Sequence, residues 1–505
     1  HNESECIVQT VNTFKRRFPD EHEIQLFNEH KMTTEAPQAS YVKLYAGMGC
    51  WVYIVKGDDP IYALNAIFMH SDNWGQYGEH LNDEPTLKRY IDGCQQISSA
   101  NFIDLELKYG AHDYHPIPVV LESGKGVYLW DVEGNKYFDF LSAYSAVNQG
   151  HCHPRIVCAL NKQAETLNLT SRAFHNNKLG IYMKYVTNYF NFERLLPSNT
   201  GAEAVEAAIK ITRKWGYTVK GILNDKAEII VCSQNFHGRT STIISFSSDL
   251  GSKTNFGPHS NGFVTIPYNN IKALESVLKT HHNIAGFLVE PIQGEAGVYT
   301  PDRDYIRKVK ALCSKYNVLF IADEIQTGIG RTGSLLAVCG SCSCEGHCEQ
   351  QAKTFTRPDI LILGKAISGG TYPVSAVLCD SKIMDVIQPG QHGSTFGGNP
   401  MACSVAMEAL EIIRDEKLTQ NARRLGELFR LEMQAYIKKS YIVLRVRGRG
   451  LLNAIVINDS QESNTAWNIC LKLKEKGLLA KPTHGNIIRF APPLMINEDQ
   501  LVECI

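Results

Sequence analysis

Asp359-Ile-Leu-Ile-Leu-Gly-Lys365-Ala-Ile-Ser-Gly-Gly370 is the stretch that decides the fold of this chain. Its apolar run, Ile360 to Leu363, is too short to cross a membrane but is typical of a strand buried on both faces. A lysine held at the carboxyl end of such a strand is poorly solvated, so its amine is free to attack a carbonyl carbon. Taken alone, the pattern also fits a lysine whose amine reaches water, because charged groups are rarely buried.

Two earlier apolar runs also end in acidic residues. They are Ile284-Ala-Gly-Phe-Leu-Val-Glu290 and Val318-Leu-Phe-Ile-Ala-Asp323. Between them, Tyr305 to Cys313 is apolar at helical spacing, and strands that alternate with helices form a parallel α/β sheet. Ligands of such sheets bind beyond the carboxyl ends of the strands, so Glu290, Asp323 and Lys365 are expected to face one crevice. A lysine beside an acid there fits pyridoxal phosphate, with the lysine as covalent partner and the aspartate on the ring nitrogen.

Four segments in order carry a family resemblance. They are Val289-Glu-Pro-Ile-Gln-Gly-Glu-Ala-Gly297, Ala322-Asp-Glu-Ile-Gln-Thr-Gly328, the lysine segment, and His392-Gly-Ser-Thr-Phe-Gly-Gly-Asn-Pro400. Together they resemble the class III pyridoxal-phosphate-dependent aminotransferases, and within that class the branch that acts on ornithine. The resemblance runs from about Leu107 to the C-terminus. It implies the α/β fold of the fold-type I transferases: a large domain with a mostly parallel sheet, plus a smaller α+β domain from both chain ends.

The resemblance also implies a division of the chain into four parts. These are an N-terminal extension of unknown role (1–106), the first part of the small domain (107–160), the large cofactor-binding domain (161–415, with a cysteine-rich insertion at 339–356) and the rest of the small domain (416–505). Within the extension the pattern predicts helices at Thr10–Phe18 and Pro85–Ile97 and strands within Tyr41–Val55. Relatives usually continue beyond the position of Ile505 through another helix.

The reaction implied by the resemblance is transfer of the δ-amino group of L-ornithine to 2-oxoglutarate, which gives glutamate 5-semialdehyde and glutamate. Acetylornithine and 4-aminobutyrate aminotransferases are the alternatives within the class. A non-catalytic scaffold is the alternative outside it, and intact Lys365, Asp323 and Arg489 argue against that alternative.

The resemblance assigns roles to the cofactor-binding residues one by one. Lys365 bonds the cofactor and moves a proton, Asp323 pairs with the pyridinium nitrogen, and Gln326 hydrogen-bonds the ring hydroxyl. An alanine-rich helix begins after Thr200-Gly201, and its first amides are free to bind a phosphate. Gly201 and Ala202 match the positions that bind the cofactor phosphate in the family. Phe236 matches the aromatic residue that stacks on the ring. Ser394 and Thr395 match residues that reach the phosphate in the other subunit of a homodimer with shared active sites.

The resemblance assigns the substrate residues in the same way. Tyr114 and Arg239 should hold the α-amino and α-carboxylate ends of ornithine, and Tyr144 should line the same pocket. Arg489 matches the cation for the α-carboxylate of glutamate. Glu295 matches the carboxylate that masks Arg489 through a bidentate ion pair when ornithine is bound.

Three features lie outside the recognised motifs. His237 stands where some relatives have Trp, which we interpret as tolerated variation. His151 and His153 invite a metal interpretation, but neighbours in an extended stretch point to opposite sides, and no metal is predicted. The run Cys339 to Cys348 fits a reduced surface loop better than a zinc site, with a redox-sensitive pair of thiols as the next alternative.

The composition excludes several classes of protein. The 505 residues include 51 Lys plus Arg against 52 Asp plus Glu, so no overall charge favours nucleic acid or a membrane surface. The longest apolar stretch, Leu44 to Val55, is too short to span a bilayer. Fifteen cysteines, an odd number, favour reduced thiols in a reducing compartment. Seven acidic residues among the first forty argue against a mitochondrial transit peptide, so the cytosol is predicted, with the mitochondrial matrix second.

Overall fold

The computed structural model describes residues 98–339 and 356–505, together with four short strands before residue 98. These strands are Gln25–Leu26, Tyr41–Tyr45, Cys50–Val55 and Met69–His70, and they form an antiparallel sheet in that order. They confirm the strands predicted within Tyr41–Val55. The helices predicted at Thr10–Phe18 and Pro85–Ile97 lie outside the described residues, as does the cysteine-rich insertion beyond Cys339.

The chain divides into two compact units. The first comprises residues 1–122 and 130–135, and the second comprises 123–129 and 136–505. In the first unit the helix Ser99–Tyr109 begins at a capping box, in which Ser98 and Asn101 bond each other's backbone. The four-part division derived from the sequence remains a prediction.

A seven-stranded sheet forms the centre of the second unit. Its strands lie in the order Phe263–Ile266, Glu228–Cys232, Ile284–Val289, Leu319–Asp323, Ile360–Leu363, Ser375–Cys379 and Arg194–Ser198. Only the two pairings that involve Ser375–Cys379 are antiparallel, so six strands run one way and this strand runs the other. The mixed, mostly parallel sheet predicted from the sequence is confirmed.

The three strands at the middle of this sheet are buried along their whole length. Every residue of Ile284–Val289, Leu319–Asp323 and Ile360–Leu363 is buried. This explains why the sequence shows continuous apolar runs there instead of alternation, since both faces of these strands are covered. Their carboxyl ends therefore open at one edge of the sheet, where polar residues follow.

The helix Gly201–Thr218 covers one face of the sheet. Thr200 caps this helix through a capping box. Its side chain accepts a hydrogen bond from the Glu203 amide, and the Glu203 side chain accepts one from the Thr200 amide. The buried residues Ala204, Ala208, Ile211 and Trp215 recur at helical spacing on the side that faces the sheet. Small residues let the helix lie close to the strands, and this fixes the position of its N-terminus at the strand ends.

A second, antiparallel sheet lies towards the C-terminus. Its strands, in order, are Val443–Arg449, Leu452–Ile457, Ile487–Phe490 and Lys481–Thr483. A further strand, Leu478–Leu479, pairs in parallel with Lys136–Asp139. Residues from early and late in the chain are thereby brought together, as expected for a small domain built from both ends.

The other elements complete the description. The remaining strands are Leu121–Lys125 and Tyr128–Asp131. The remaining helices are Ser142–Ser145, Pro154–Ala164, Leu179–Phe190, Ser241–Ser245, Leu250–Lys253, Ile271–Thr280, Tyr305–Lys315, Ser381–Met384, Pro400–Asp415, Leu418–Ile437, Thr465–Glu475 and Glu498–Cys504, with short 3-10 turns at Ala337–Cys339 and Lys365–Ser368. Among the described residues, no helix is long and apolar enough to cross a membrane.

Candidate active site

A cavity of about 200 Å³ lies at the carboxyl ends of the central strands. Asp323 ends its strand opposite Ile362, and Lys365 follows the next strand after one glycine. The strand register therefore brings the aspartate and the lysine to the same opening. The predicted site residues that line the cavity are Gly201, Ala202, Phe236, Glu295, Asp323, Gln326 and Lys365, together with Glu290.

Lys365 enters the cavity from a strained turn. Its φ of 46° lies in the left-handed region, which costs free energy for a residue with a Cβ and is found at functional sites. Burial lowers the pKa of its amine, and the Arg489 charge acts in the same direction, while Glu295 and Asp323 oppose the shift. The lysine is therefore held where its neutral form is favoured, as the sequence predicts.

Asp323 is almost fully buried, with 4% of the residue exposed. Its Oδ1 accepts from the Ile325 amide at 3.1 Å, and its Oδ2 lies 2.6 Å from His237 Nδ1. These two contacts fix the plane of the carboxylate. Its position at the cavity wall leaves it facing the enclosed space.

The start of the helix Gly201–Thr218 forms another wall of the cavity. The first amides of a helix have no partner within the helix, and the helix dipole adds partial positive charge there. A Cβ added at Gly201 would lie 3.0 Å from Ile325 Cδ1, and one added at Gly238 would lie 2.9 Å from Ala202 Cβ. The backbone at Gly201 and Gly238 therefore lies too close to Ile325 and Ala202 for a larger side chain to fit without a shift.

Phe236 and Glu290 lie on neighbouring strand ends. The Phe236 amide donates to Glu290 Oε2 at 2.9 Å, and the Gly294 amide donates to Glu290 Oε1 at 3.3 Å. Burial raises the pKa of Glu290 to about 7, although the charge of His237 acts in the opposite direction. Glu290 thus accepts hydrogen bonds from both turns: one from the turn that contains Phe236 and one from the turn that contains Gly294 and Glu295.

Glu295 and Arg489 form an ion pair beside the lysine. Arg489 Nη1 lies 2.6 Å from Glu295 Oε1, and Gln326 Nε2 donates to the same oxygen at 3.0 Å. Burial alone would raise the pKa of Glu295, but the charges of Arg489 and Lys365 and these hydrogen bonds lower it to about 2. In this structure Arg489 donates one hydrogen bond to Glu295, from Nη1 to Oε1, instead of the predicted bidentate pair, and Arg489 Nε is buried without a partner among the described residues.

Tyr144 contacts Arg489 and Gln326, although it is not itself among the residues that line the cavity. The Arg489 guanidinium lies 5.2 Å from the centroid of the Tyr144 ring, close enough for a cation–π contact. Gln326 Nε2 also lies 3.4 Å from the Tyr144 carbonyl oxygen. A Cβ at Gly294 would lie 1.5 Å from Gln326 Oε1, so a larger residue there would displace the Gln326 side chain.

Six predicted site residues are not among the residues that line this cavity. Two of them, Tyr144 and Arg489, contact lining residues as described above. Arg239 is 62% exposed, with its guanidinium 5.6 Å from the Phe236 ring centroid and 4.0 Å from Asp249. Tyr114 belongs to the first unit and is exposed. Ser394 and Thr395 line a second, open cavity of about 530 Å³ with Arg172, and Ser394 Oγ accepts from Asn199 Nδ2 at 3.0 Å. The roles of these residues remain predictions.

His237 is the residue that sequence reasoning missed. The sequence did not indicate that the imidazole is buried, with its Nδ1 2.6 Å from Asp323 Oδ2. The available signal was its place in a turn at the carboxyl end of the strand Glu228–Cys232, the same sheet edge as the other site residues. Sequence spacing cannot show which of the residues in such a turn points inward.

The two histidines considered as metal ligands have separate partners. His151 Nε2 lies 2.7 Å from Asp139 Oδ2, and His153 Nε2 lies 2.9 Å from Glu416 Oε1. Each imidazole is therefore engaged by a different carboxylate. The two side chains are structural contacts of different segments.

The residues of the cavity fit pyridoxal phosphate. The helix start offers amides to a phosphate, Lys365 offers a desolvated amine to an aldehyde, and Asp323 offers a carboxylate to a ring nitrogen. Gln326 Oε1 is buried on the cavity wall without a hydrogen-bond partner among the described residues. A buried orphan of this kind is costly unless a bound group satisfies it. The arrangement provides a complementary group for each end of the cofactor.

Comparison with known proteins gives consistent matches. The model of the family "Aminotransferase class-III" matches residues 109–505. The mitochondrial ornithine aminotransferase of Drosophila melanogaster is 58% identical over 400 residues, which cover 79% of this chain and 88% of that protein.

Solved structures are also similar. The ornithine aminotransferase of Toxoplasma gondii has 45% identity and a TM-score of 0.78, with 82% of this chain and 95% of that chain covered. An acetylornithine aminotransferase from Elizabethkingia anophelis has 58% identity and a TM-score of 0.71, with 80% and 96% covered. The fold and the sequence thus agree over the same four-fifths of the chain.

Proposed function

This chain belongs to the class III aminotransferases, and from that premise we propose that it transfers the δ-amino group of L-ornithine to 2-oxoglutarate. The similarity to ornithine aminotransferases at 53% to 58% identity supports ornithine as the amino donor. The observation that carries the proposal is the Arg489–Glu295 pair beside Lys365.

The pair matters because the two substrates approach the cofactor in opposite senses. Glutamate and 2-oxoglutarate react at the α-carbon, so a carboxylate lies near the reacting atoms and needs a cation. Ornithine reacts at its δ-amine, so no carboxylate of ornithine lies there, and a bare guanidinium would bind the wrong end of the molecule. An arginine whose charge can be neutralised by a neighbouring carboxylate suits both half-reactions.

Pyridoxal phosphate supplies the electron-accepting ring when it is bound. The Lys365 amine would carry the covalent link to it, and Nζ would then accept and return the proton that moves in each half-reaction. Asp323 would hold the ring nitrogen in its protonated form, Gly201 and Ala202 would bind the phosphate, and Phe236 would stack on the ring. Gln326 would contact the ring hydroxyl.

Ornithine would be held at the end remote from the reaction. We assign its α-carboxylate to Arg239 and its α-amino group to Tyr114, and we assign Tyr144 to the lining of the ornithine pocket. Arg239 is exposed and separate from the Glu295–Arg489 pair, so it can turn towards a substrate without breaking that pair. The planar guanidinium of arginine suits a carboxylate.

Direct assay tests the proposal. The purified protein with ornithine and 2-oxoglutarate should form glutamate 5-semialdehyde, trapped as a coloured adduct, far faster per active site than it turns over acetylornithine or 4-aminobutyrate. A kcat/KM for acetylornithine above that for ornithine would contradict the proposed substrate. Such a result would leave the aminotransferase class unchanged.

Replacing Glu295 by alanine should change the two half-reactions in opposite directions. With Arg489 unmasked, the glutamate half-reaction should become faster and the preference for the δ-amine of ornithine should fall, by up to about tenfold for one lost charged hydrogen bond. Single-turnover kinetics of each half-reaction measure both effects. Equal changes in the two would mean that the ion pair is only structural.

The charge state of Glu295 adds a pH control to this experiment. Because its pKa is lowered to about 2, Glu295 stays ionised in the folded protein well below its ordinary value of 4.5, and the pair is lost only as the pH approaches 2. The stability that the pair contributes is present above pH 4.5 and declines as the pH falls from 4.5 towards 2. Opening of the pair at neutral pH must therefore come from a competing substrate carboxylate. The ratio of the two half-reaction rates should show no transition assignable to Glu295 between pH 6 and 9.

We propose that the working form is a homodimer in which Ser394 and Thr395 reach the cofactor phosphate of the other subunit. The supporting observation is that these residues line a second opening and are not among the residues that line the first cavity. Sedimentation at assay concentrations tests this. A fully active monomer would contradict it.

The compartment is a further proposal. The fifteen cysteines support a reducing compartment such as the cytosol, whereas the mitochondrial name of the fruit-fly relative supports the mitochondrion. Imaging of the tagged gene product in its own cell decides between the two.

A further inference from the structure

A side chain from a distant part of the chain holds the lysine turn, Lys365–Ser368. Gln149 is 0% exposed, and its Nε2 donates to the carbonyl oxygens of Ala366 and Ala409, both at 3.0 Å. Carbonyl oxygens can only accept, so the atom of the Gln149 amide that faces them is the nitrogen. Gln149 therefore ties the lysine turn to the helix Pro400–Asp415.

The lysine turn needs support from outside because its backbone is strained. Lys365 has a φ of 46°, and such a left-handed conformation persists in a residue with a Cβ only where the surrounding structure imposes it. The Gly369 amide donates to the Ala366 carbonyl oxygen at 3.1 Å and closes the turn. That bond shapes the turn but does not fix its place in the protein. Gln149, which lies 217 positions before Ala366, supplies a bond that does.

The glycines that follow the lysine turn pack closely against the part of the chain around Gln149. A Cβ added at Gly369 would lie 2.4 Å from Ile156 Cδ1, and one added at Gly370 would lie 2.7 Å from Val147 Cγ2. Closely packed interiors transmit small displacements. A change at Gln149 is therefore expected to move the lysine turn.

Stability alone does not account for a glutamine at this position. Gln149 Oε1 is buried without a hydrogen-bond partner among the described residues, which lowers the stability of the fold. The two carbonyl oxygens do not depend on Gln149 for a donor. Ala366 also accepts from the Gly369 amide, and Ala409 lies inside a helix, where carbonyls accept from the amide four residues later. What the Gln149 amide adds is a fixed location for the turn.

We propose that Gln149 is a positioning residue that holds the lysine turn, and with it the Lys365 amine, in the place that reaction with the cofactor requires. The inference rests on the proposed function, since it concerns the nucleophile of that reaction. It goes beyond that function because Gln149 is not among the residues that line the cavity and acts through the backbone of the turn. A displacement of about 1 Å at a reacting group can slow a reaction by about 10²-fold.

Gln149→Met and Gln163→Met form a matched pair of variants. Methionine keeps the length of the side chain and removes the amide. Gln163 is also buried, and its Oε1 accepts from Ser404 Oγ, on the helix Pro400–Asp415, at 3.1 Å. Its Nε2 donates to the Leu167 carbonyl oxygen at 2.8 Å, so neither bond involves the lysine turn. The two variants lose similar interactions, and only one of them loses those that hold the turn.

Two measurements report the position of the Lys365 amine. In Gln149→Met, kcat per cofactor-loaded subunit should fall by about tenfold to a hundredfold, with KM nearly unchanged. The rate constant for reloading the cofactor-free protein with pyridoxal phosphate, followed by the absorption of lysine-linked cofactor, should fall as well. Gln163→Met should keep the wild-type value of both, even where its melting temperature falls as much as that of Gln149→Met.

Gln149→Asn repeats the test with a polar side chain, in case the methionine variant does not fold. Its amide is one methylene shorter and cannot reach both carbonyl oxygens, so the same losses are expected. Wild-type kcat and reloading rate in the folded Gln149 variants would overturn the inference, as would equal losses in Gln149→Met and Gln163→Met. Failure of the proposed function looks different, because the wild-type protein itself would then not form lysine-linked cofactor or turn over ornithine.

Discussion

Replacement of Lys365 by alanine should abolish turnover, with a loss of at least about 10⁴-fold expected from removal of both the nucleophile and the general base. The amine is buried beside Asp323, Glu295 and Arg489, and no other lysine lines the cavity in the described part of the chain. Water cannot replace a desolvated amine held at that position. The absorption band of lysine-linked cofactor should disappear in the same variant.

The lowered pKa of Lys365 can be tested through the pH dependence of cofactor binding. In the cofactor-free wild type, the rate of reloading with pyridoxal phosphate should rise with pH as the amine loses its proton. That rise should be centred below the ordinary lysine value of 10.5, because burial favours the neutral amine. Circular dichroism of Lys365→Ala should match the wild type, which excludes misfolding. Normal turnover by a folded Lys365→Ala protein would contradict the mechanism.

Replacement of Asp323 by alanine should reduce kcat by about 10²- to 10³-fold and leave substrate affinity nearly unchanged. The carboxylate lies where positive charge on the ring nitrogen must be stabilised, so its contribution is realised mainly as the reaction proceeds. Substrate groups do not contact it in the proposed arrangement. The split between kcat and KM is measured by steady-state kinetics at saturating cofactor.

Asp323→Asn provides the matched control for shape. It keeps the size of the side chain and an acceptor oxygen for the Ile325 amide, but it removes the charge. A kcat as low as that of the alanine variant is expected, since charge is the property that the ring nitrogen requires. A loss of affinity with kcat preserved in either variant would show that Asp323 serves binding instead of catalysis.

The charges of the cavity explain why these two predictions are the largest. Beside Lys365, Arg489 pairs with Glu295, and His237 bonds Asp323, within and next to one small cavity. Electrostatic interactions are stronger there than in water. Removing one of these side chains leaves the charge or hydrogen bond of its neighbour without a partner. Single substitutions at Lys365 or Asp323 therefore affect both the reaction and the neighbouring side chains.

The sequence by itself determined the fold class and most of the cavity. Continuous apolar runs followed by acid or lysine predict buried parallel strands, and the strand ends of a parallel sheet share one edge. That rule alone brings Glu290, Asp323 and Lys365 together, and the structure confirms their convergence. The family resemblance added Gly201, Ala202, Phe236, Gln326 and Glu295, which line the same cavity.

Only the tertiary structure decided how these groups bond to one another. The partner of Asp323 lies 86 positions earlier in the chain, and the partner of Glu295 lies 194 positions later. Sequence spacing carries no information on the side-chain direction at such separations. Whether His237 points inward, and whether Arg489 meets Glu295 through one nitrogen or two, depends on packing between turns from different strands.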